Sequence, residues 1–191
     1  SSDVCSSDLV GIIGTGFIGP AHIEAIRRLG FVEVVALCDA NLADAQQKAR
    51  QLGVPHAYAS VEALLAHPGL QVVHNCTPNH LHAEINRQIL RAGKHVFSEK
   101  PLCMTVEEAR ELVALAEQAN VVHGVSFVYR QFAMVQQAAS LRQSGQLGRL
   151  FSVYGSYLQD WMLLETDYNW RVDAASGGPS RAIADIGSDR K

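Results

Sequence analysis

The stretch "VGIIGTGFIGPAHIEAIRRL", Val10 to Leu29, limits what this chain can fold into more than any other part of it. A short apolar run ends at a cluster of glycines, and a segment with helical spacing follows at once. Gly14, Gly16 and Gly19 stand in G-x-G-x-x-G spacing after a strand and at the opening of a helix, the setting that gives this spacing a physical purpose. Gly14 permits a tight turn, Gly16 lets a pyrophosphate approach the backbone, and Gly19 lets the helix pack close on the strand. Phe17 and Ile18 complete the loop. Free N–H groups and a partial positive charge at the helix N-terminus suit phosphates. Pro20 sits in the first turn, where a missing N–H costs little. The spacing predicts a helix from about Phe17 to Leu29, with Ile23 and Ile26 on one face.

The alternation continues downstream. "VEVVALCD" reads as a second strand, and Asn41 caps a helix carrying Leu42, Ala45, Ala49 and Leu52. "HAYAS" is a third strand, and Ser60 opens a short helix. "VVHNC" is a fourth strand, followed by a helix with Leu81, Ile85 and Ile89 in register. "KHVFS" is a fifth. Thr105 and Glu108 then form a capping box on a helix that buries Ala109, Leu112, Val113 and Ala116. "VVHGVSFV" is a sixth strand. Strands alternating with helices of this length specify βαβ units and a parallel sheet covered on both faces. The fold class is therefore α/β, a Rossmann-type doubly wound parallel sheet over residues 10–124. After about Val125 the pattern changes. A helix near Gln131 to Gln143, a strand "LFSVYGSYLQ" and loops rich in Trp, Tyr and Gly read as the start of a different domain, residues 125–188.

Ligands of an open parallel sheet bind beyond the carboxyl ends of its strands. The glycine loop follows the first strand and Asp39 ends the second. "TPNHLH", with Thr77, Pro78, Asn79 and His82, follows the fourth, and "EKP", with Glu99 and Lys100, follows the fifth. Four polar clusters thus share one sheet edge. Asp39 stands twenty residues beyond Gly19, where a carboxylate accepts hydrogen bonds from the adenosine ribose hydroxyls and repels a 2′-phosphate. Residues 40 to 44 offer no Lys or Arg, so the cofactor reads as NAD rather than NADP. Lys100 is placed to face the nicotinamide, as a cofactor contact and for proton transfer with a substrate hydroxyl, and Glu99 for binding ribose and tuning that lysine. The plainer alternatives are helix capping by Thr77, Pro78 and Asn79, and an exposed Glu–Lys pair at the fifth strand. Lys100–Pro101 is a candidate cis bond, and His74 reads as a core histidine.

Composition narrows the partners. A formal net charge of -3 gives no footprint for nucleic acid or an anionic membrane, and no apolar run approaches a membrane span. Cys5, Cys38, Cys76 and Cys103 form no C-x-x-C pair and read as free thiols in a reducing, cytoplasmic setting. His80 and His82 are too close in sequence to share a helix face, and no metal is expected. "SSDVCSSDL", Ser1 to Leu9, resembles translated sequencing-adapter sequence, as does the terminal "DRK", Asp189 to Lys191; both are set aside from the fold.

"GIIGTGFIG", "LCDAN", "CTPNHLH", "SEKPL" and "GGPSRAIADIGS", in that order, resemble the Gfo/Idh/MocA oxidoreductase family from Val10 to Ser188. The resemblance implies an N-terminal Rossmann domain and a C-terminal α/β domain built on a mostly antiparallel sheet, often used for oligomer contacts, so a homo-oligomer is implied. It implies hydride transfer between NAD(P) and a sugar or polyol hydroxyl or ketone. Lys100 matches the family's catalytic lysine, and Asp185 the aspartate of its D-x-G-x-H motif. The histidine of that motif falls at Asp189 here, so the chain reads as a fragment with little turnover of its own. "DYNWRVD" also resembles the family; Trp170 and Arg171 are candidates to border the pocket, with aromatic packing an equal reading. A glycosidase of the same family, using tightly held NAD, and a non-catalytic dinucleotide-binding regulator are the rival functions.

Overall fold

The computed structural model of the chain describes residues 8–178 and residue 183. The chain divides into two compact units with the boundary between Ser126 and Phe127.

The first unit holds six parallel strands in the order β3-β2-β1-β4-β5-β6. The strands are β1 (Asp8–Ile13), β2 (Val32–Cys38), β3 (His56–Tyr58), β4 (Leu70–Asn75), β5 (His95–Ser98) and β6 (His123–Val125). The order reverses beside β1, between β2 and β4, and such a switch point opens a crevice at the carboxyl edge. β1 begins at Asp8, ahead of the expected Val10, because Leu9 pairs with both Glu33 and Leu70 and packs on the core. β6 is shorter than "VVHGVSFV": the chain turns into a 3-10 helix at Val128–Gln131.

Two apolar layers sandwich the sheet. On one face, Val10, Ile12, Val34 and Leu37 meet Ile23 and Ile26 of α1 (Ile18–Arg27) and Ala49 of α2 (Leu42–Leu52). On the other, Ile13, Val35, Val73 and Val96 meet Leu64 of α3 (Val61–Leu65), Ile85 and Ile89 of α4 (His82–Arg91), and Leu112 and Ala116 of α5 (Val106–Ala119). Each fully buried Ile or Leu of these layers contributes roughly 1.5–3 kcal/mol.

The helix ends follow local chemistry. Asn41 and Ser60 accept from backbone amides of the first turns of α2 and α3. The Thr105–Glu108 capping box is reciprocal: Thr105 Oγ1 accepts from the Glu108 amide, and the Glu108 carboxylate accepts from the Thr105 amide, both at 3.2 Å. Arg27 of α1 donates to the Leu52 and Gly53 carbonyls, at 2.6 and 3.0 Å, and so caps the C-terminus of α2. Three expected apolar-face positions are instead exposed. Leu42 opens α2 at the surface, ahead of the buried Ala45 and Ala49. Val113 turns off the buried stripe of α5, which is set by Leu112 and Ala116, and Leu81 falls in a 3-10 turn, Asn79–Leu81, before α4 begins.

The second unit contains the 3-10 turn Val128–Gln131, α6 (Ala133–Gln143), a 3-10 turn at Trp170–Val172 and the short α7 (Ala174–Gly177). The strand expected at "LFSVYGSYLQ" does not form. A strand needs a neighbour for its backbone groups, and among the described residues of this unit none supplies a ladder. Phe151, Val153, Tyr154 and Leu158 remain exposed there. No helix among the described residues is long and apolar enough to cross a membrane.

Candidate cofactor and active site

The glycine loop closes against the start of the β4–α4 connection. The Gly14 amide donates to the Cys38 carbonyl at 2.9 Å, and the Cys76 amide to the Ile13 carbonyl at 2.7 Å, extending the sheet past its strand ends. Gly14 has φ +91, and a Cβ there would lie 2.6 Å from the Cys76 carbonyl oxygen. A Cβ on Gly19 would collide with the Gly14 carbonyl oxygen, so α1 packs as closely as the chain allows. A Cβ on Gly16 would meet nothing within 4 Å. Gly14 thus makes the tight turn and Gly19 the close packing, while Gly16 faces open space. Phe17 is 92% exposed beside that opening, while Ile18 is half-buried against the core.

Asp39, after β2, is tied to the loop. Its Oδ2 accepts from the Thr15 amide at 3.0 Å and from the Thr15 hydroxyl, and its Oδ1 accepts from the Ala40 amide at 2.8 Å. Thr15 is buried and was not singled out by the sequence; its place between two glycines hid it. The neighbouring Cys38 thiol is pushed up to about 11 by burial and by the charges of Asp39 and Glu62, so it stays protonated. Cys38, Cys76 and Cys103 form no disulfide.

A buried polar chain positions the next two clusters. Asn75, at the end of β4, donates to Asn86 Oδ1 of α4 at 2.9 Å, and Asn86 donates to Ser98 Oγ of β5 at 3.0 Å. Asn75 Oδ1 accepts the Thr77 hydroxyl at 2.7 Å. Asn75, Asn86 and Ser98 are all essentially inaccessible. Sequence reasoning missed all three, although Asn75 and Ser98 fall on the same alternation as the buried Val73 and Val96. Fully paired networks of this kind fix a unique geometry. Pro78 is exposed and Asn79 buried at the following turn.

His82 differs from its expected place as a cofactor contact. It is fully buried, with Nδ1 2.6 Å from the Pro101 carbonyl and Nε2 2.7 Å from the Thr77 carbonyl. It links the loop after β4 to the loop after β5 and has no surface left for a ligand. Burial pushes its pKa down, against the upward pull of the two carbonyls and Glu99.

Glu99 and Lys100 follow β5, and the Lys100–Pro101 bond is cis. The Glu99 amide donates to the Asn75 carbonyl at 2.8 Å, and the Lys100 amide to Glu99 Oε2 at 3.2 Å. Burial alone would raise the Glu99 carboxyl, yet hydrogen bonds from His22 and Ser126 outweigh it and hold the group below its ordinary value. His22 Nε2 lies 3.0 Å from Glu99 Oε1. His22 was also missed, although it occupies the buried stripe of α1 with Gly19, Ile23 and Ile26. His74 is the core histidine expected. It packs on Phe97, and burial pushes it down to about 3.

Residues 9–127 match the family described as the Gfo/Idh/MocA oxidoreductase family, NAD-binding Rossmann fold. The chain belongs to the Gfo/Idh/MocA oxidoreductase family. It is 37% identical over 186 residues to a levoglucosan dehydrogenase of Pseudarthrobacter phenanthrenivorans, covering 93% of this chain and 47% of that protein. It is 32% identical to a glucose-6-phosphate 3-dehydrogenase of Bacillus subtilis, covering 93% of this chain and 50% of the relative. A solved levoglucosan dehydrogenase in complex with NADH and levoglucosan superposes with a TM-score of 0.89 at 34% identity, covering 96% of this chain and 51% of that one. The chain spans about half the length of the curated relatives it matches.

In the second unit, Arg171 stacks on Trp170, its guanidinium carbon 4.7 Å from the ring centroid, and donates to Asn169 Oδ1 at 3.3 Å. Asp173 caps α7 through the Ala175 amide at 3.2 Å. Asp185 and Asp189 lie outside the described residues.

Proposed function

We propose that this chain carries the cofactor half of an NAD-dependent dehydrogenase acting on a sugar or polyol. The observation that carries the reading is the convergence, at the carboxyl edge of one parallel sheet, of an open Gly16, a loop-bound Asp39 and the Glu99–Lys100 pair. The residues present fit a dinucleotide: the glycine loop leaves room at Gly16 and presents the N-terminus of α1.

When bound, the nicotinamide supplies the hydride chemistry. The chain's own residues do the rest. The backbone at Gly14, Gly16, Phe17, Ile18 and Gly19 cradles the pyrophosphate. Asp39 accepts the adenosine ribose hydroxyls, and its charge, with no Lys or Arg in residues 40–44, favours NAD over NADP. Thr77, Pro78 and Asn79 line the cofactor on the β4 side, and Glu99 binds ribose on the β5 side. Lys100 exchanges a proton with the substrate hydroxyl, and Asp185 helps to position the substrate. Trp170 and Arg171 border the substrate pocket. The relatives named as dehydrogenases of levoglucosan and of glucose 6-phosphate support a sugar as the substrate class. The segment from Phe127 begins an α/β domain with a mostly antiparallel sheet, through which the whole protein forms a homo-oligomer.

The test is a fluorescence titration of the chain with NADH, NADPH and ADP, followed by absorbance assays with NAD and a panel of sugars and polyols on the full-length protein. Saturable NADH binding, tighter than NADPH, and NAD reduction by a sugar are expected. Absence of NADH binding refutes the cofactor reading. NADH binding without turnover of any sugar or polyol refutes the dehydrogenase reading.

A further inference from the structure

His22 projects from the second turn of α1, the helix that presents the glycine loop, onto the face of the sheet where His74 of β4 and Phe97 of β5 are paired neighbours. Its ring lies edge-on to His74, with centroids 5.2 Å apart, and 5.9 Å from Phe97. Both ring nitrogens of this 9%-exposed side chain are engaged. Nε2 is 3.0 Å from Glu99 Oε1, and Nδ1 is 2.9 Å from His74 Nδ1.

The partners dictate where the protons sit. The Glu99 carboxylate only accepts, so His22 Nε2 carries a hydrogen and donates. The Nδ1–Nδ1 contact then needs one hydrogen. Burial keeps His74 neutral. Either the neutral His74 donates Nδ1–H to His22, or a protonated His22 donates to the His74 lone pair. In both arrangements His22 Nε2–H points at Glu99, and a ring flip would break both contacts. His74 therefore orients His22, as the second partner of a liganding histidine orients its ring.

We propose that His22 is a positioning residue of the cofactor site, which holds the Glu99 carboxylate in one orientation at the nicotinamide end, with His74 locking the ring that does so. The inference rests on the cofactor reading above and deepens it. It also joins two parts of the site 77 residues apart in sequence. The helix that receives the pyrophosphate grips the carboxylate at the other end of the dinucleotide. His22 touches no reacting atom and acts only through Glu99.

The experiment compares His22→Ala, His22→Gln and the unchanged chain, titrated with NADH and, separately, with ADP, which lacks the nicotinamide riboside. Melting temperatures are read alongside. Loss of a hydrogen bond to a charged group predicts NADH binding weaker by roughly tenfold to hundredfold in His22→Ala. ADP binding should stay within about twofold, because the glycine loop and Asp39 are intact. His22→Gln, which keeps an N–H of similar reach, should recover most of the NADH affinity. Equal weakening of NADH and ADP, or unchanged NADH binding in His22→Ala, overturns the proposal. So does a failure of His22→Gln to bind NADH better than His22→Ala. If the unchanged chain binds ADP and NADH equally weakly or not at all, the cofactor reading itself fails, and the inference with it.

Discussion

The Thr15 amide donates to Asp39 Oδ2 at 3.0 Å, and the Thr15 hydroxyl donates to the same oxygen, so the carboxylate ending β2 is a structural part of the glycine loop after β1. Asp39 thus has two tasks. It shapes the glycine loop through Thr15, and in the function proposed above it also offers its charge to the adenosine ribose.

Asp39→Ala should affect both tasks. NADH binding should weaken by roughly tenfold or more, the scale of a lost hydrogen bond to a charged group. The ratio of NADH to NADPH affinity should fall as well, because the repulsion of a 2′-phosphate is gone. Paired fluorescence titrations with the two cofactors measure both effects.

Gly14→Ala and Gly16→Ala should separate folding from binding. At Gly14 the positive φ and the Cys76 carbonyl, 2.6 Å from a new Cβ, leave no room. That change should cost roughly 1–3 kcal/mol of stability. At Gly16 the Cβ would enter open space, so the melting temperature should hold while NADH binding is lost. Thermal melts and NADH titrations on the two variants give the comparison.

His74 predicts a pH dependence. Its folded pKa is about 3, against 6.5 for a free histidine, because burial disfavours the charged ring. A depressed folded value means that the unfolded chain binds the proton first. The stabilising contribution is therefore complete above 6.5 and is lost as pH falls from there toward 3. His74→Gln should flatten the stability curve in this window by up to about 1.4 kcal/mol per pH unit. Urea unfolding at several pH values measures the slope.

Lys100→Met should spare cofactor binding and remove chemistry. In the full-length protein, kcat with a sugar substrate should fall by roughly 10²-fold or more while NADH affinity changes little. Steady-state kinetics beside NADH titration checks this.

His82→Ala should be among the most damaging single changes in the first unit. It removes the ring that contacts the Thr77 and Pro101 carbonyls, one of which loses its N–H donor, and opens a cavity where the ring was fully buried. A loss of roughly 2–5 kcal/mol is expected from the two effects together. A denaturant titration against the unchanged chain measures it.

The alternation of β-branched runs with capped amphipathic helices was enough to establish from sequence alone the parallel α/β class, the caps at Asn41, Ser60 and Thr105, and the tight turn at Gly14 with close packing at Gly19. These depend on local backbone geometry and short-range periodicity, which neighbouring residues carry in full. The same reasoning brought Asp39, Thr77, Glu99 and Lys100 to one edge, because all strands of a parallel sheet end on the same side. Only the tertiary structure decided which polar side chains meet inside. Thr15 reaches Asp39 across 24 residues, Asn86 reaches Ser98 across 12, and His22 reaches Glu99 across 77. It also turned His82 from an expected ligand contact into a buried tie, and left "LFSVYGSYLQ" without a ladder. Side-chain pairing between elements depends on strand order and helix placement, which no local window of sequence contains.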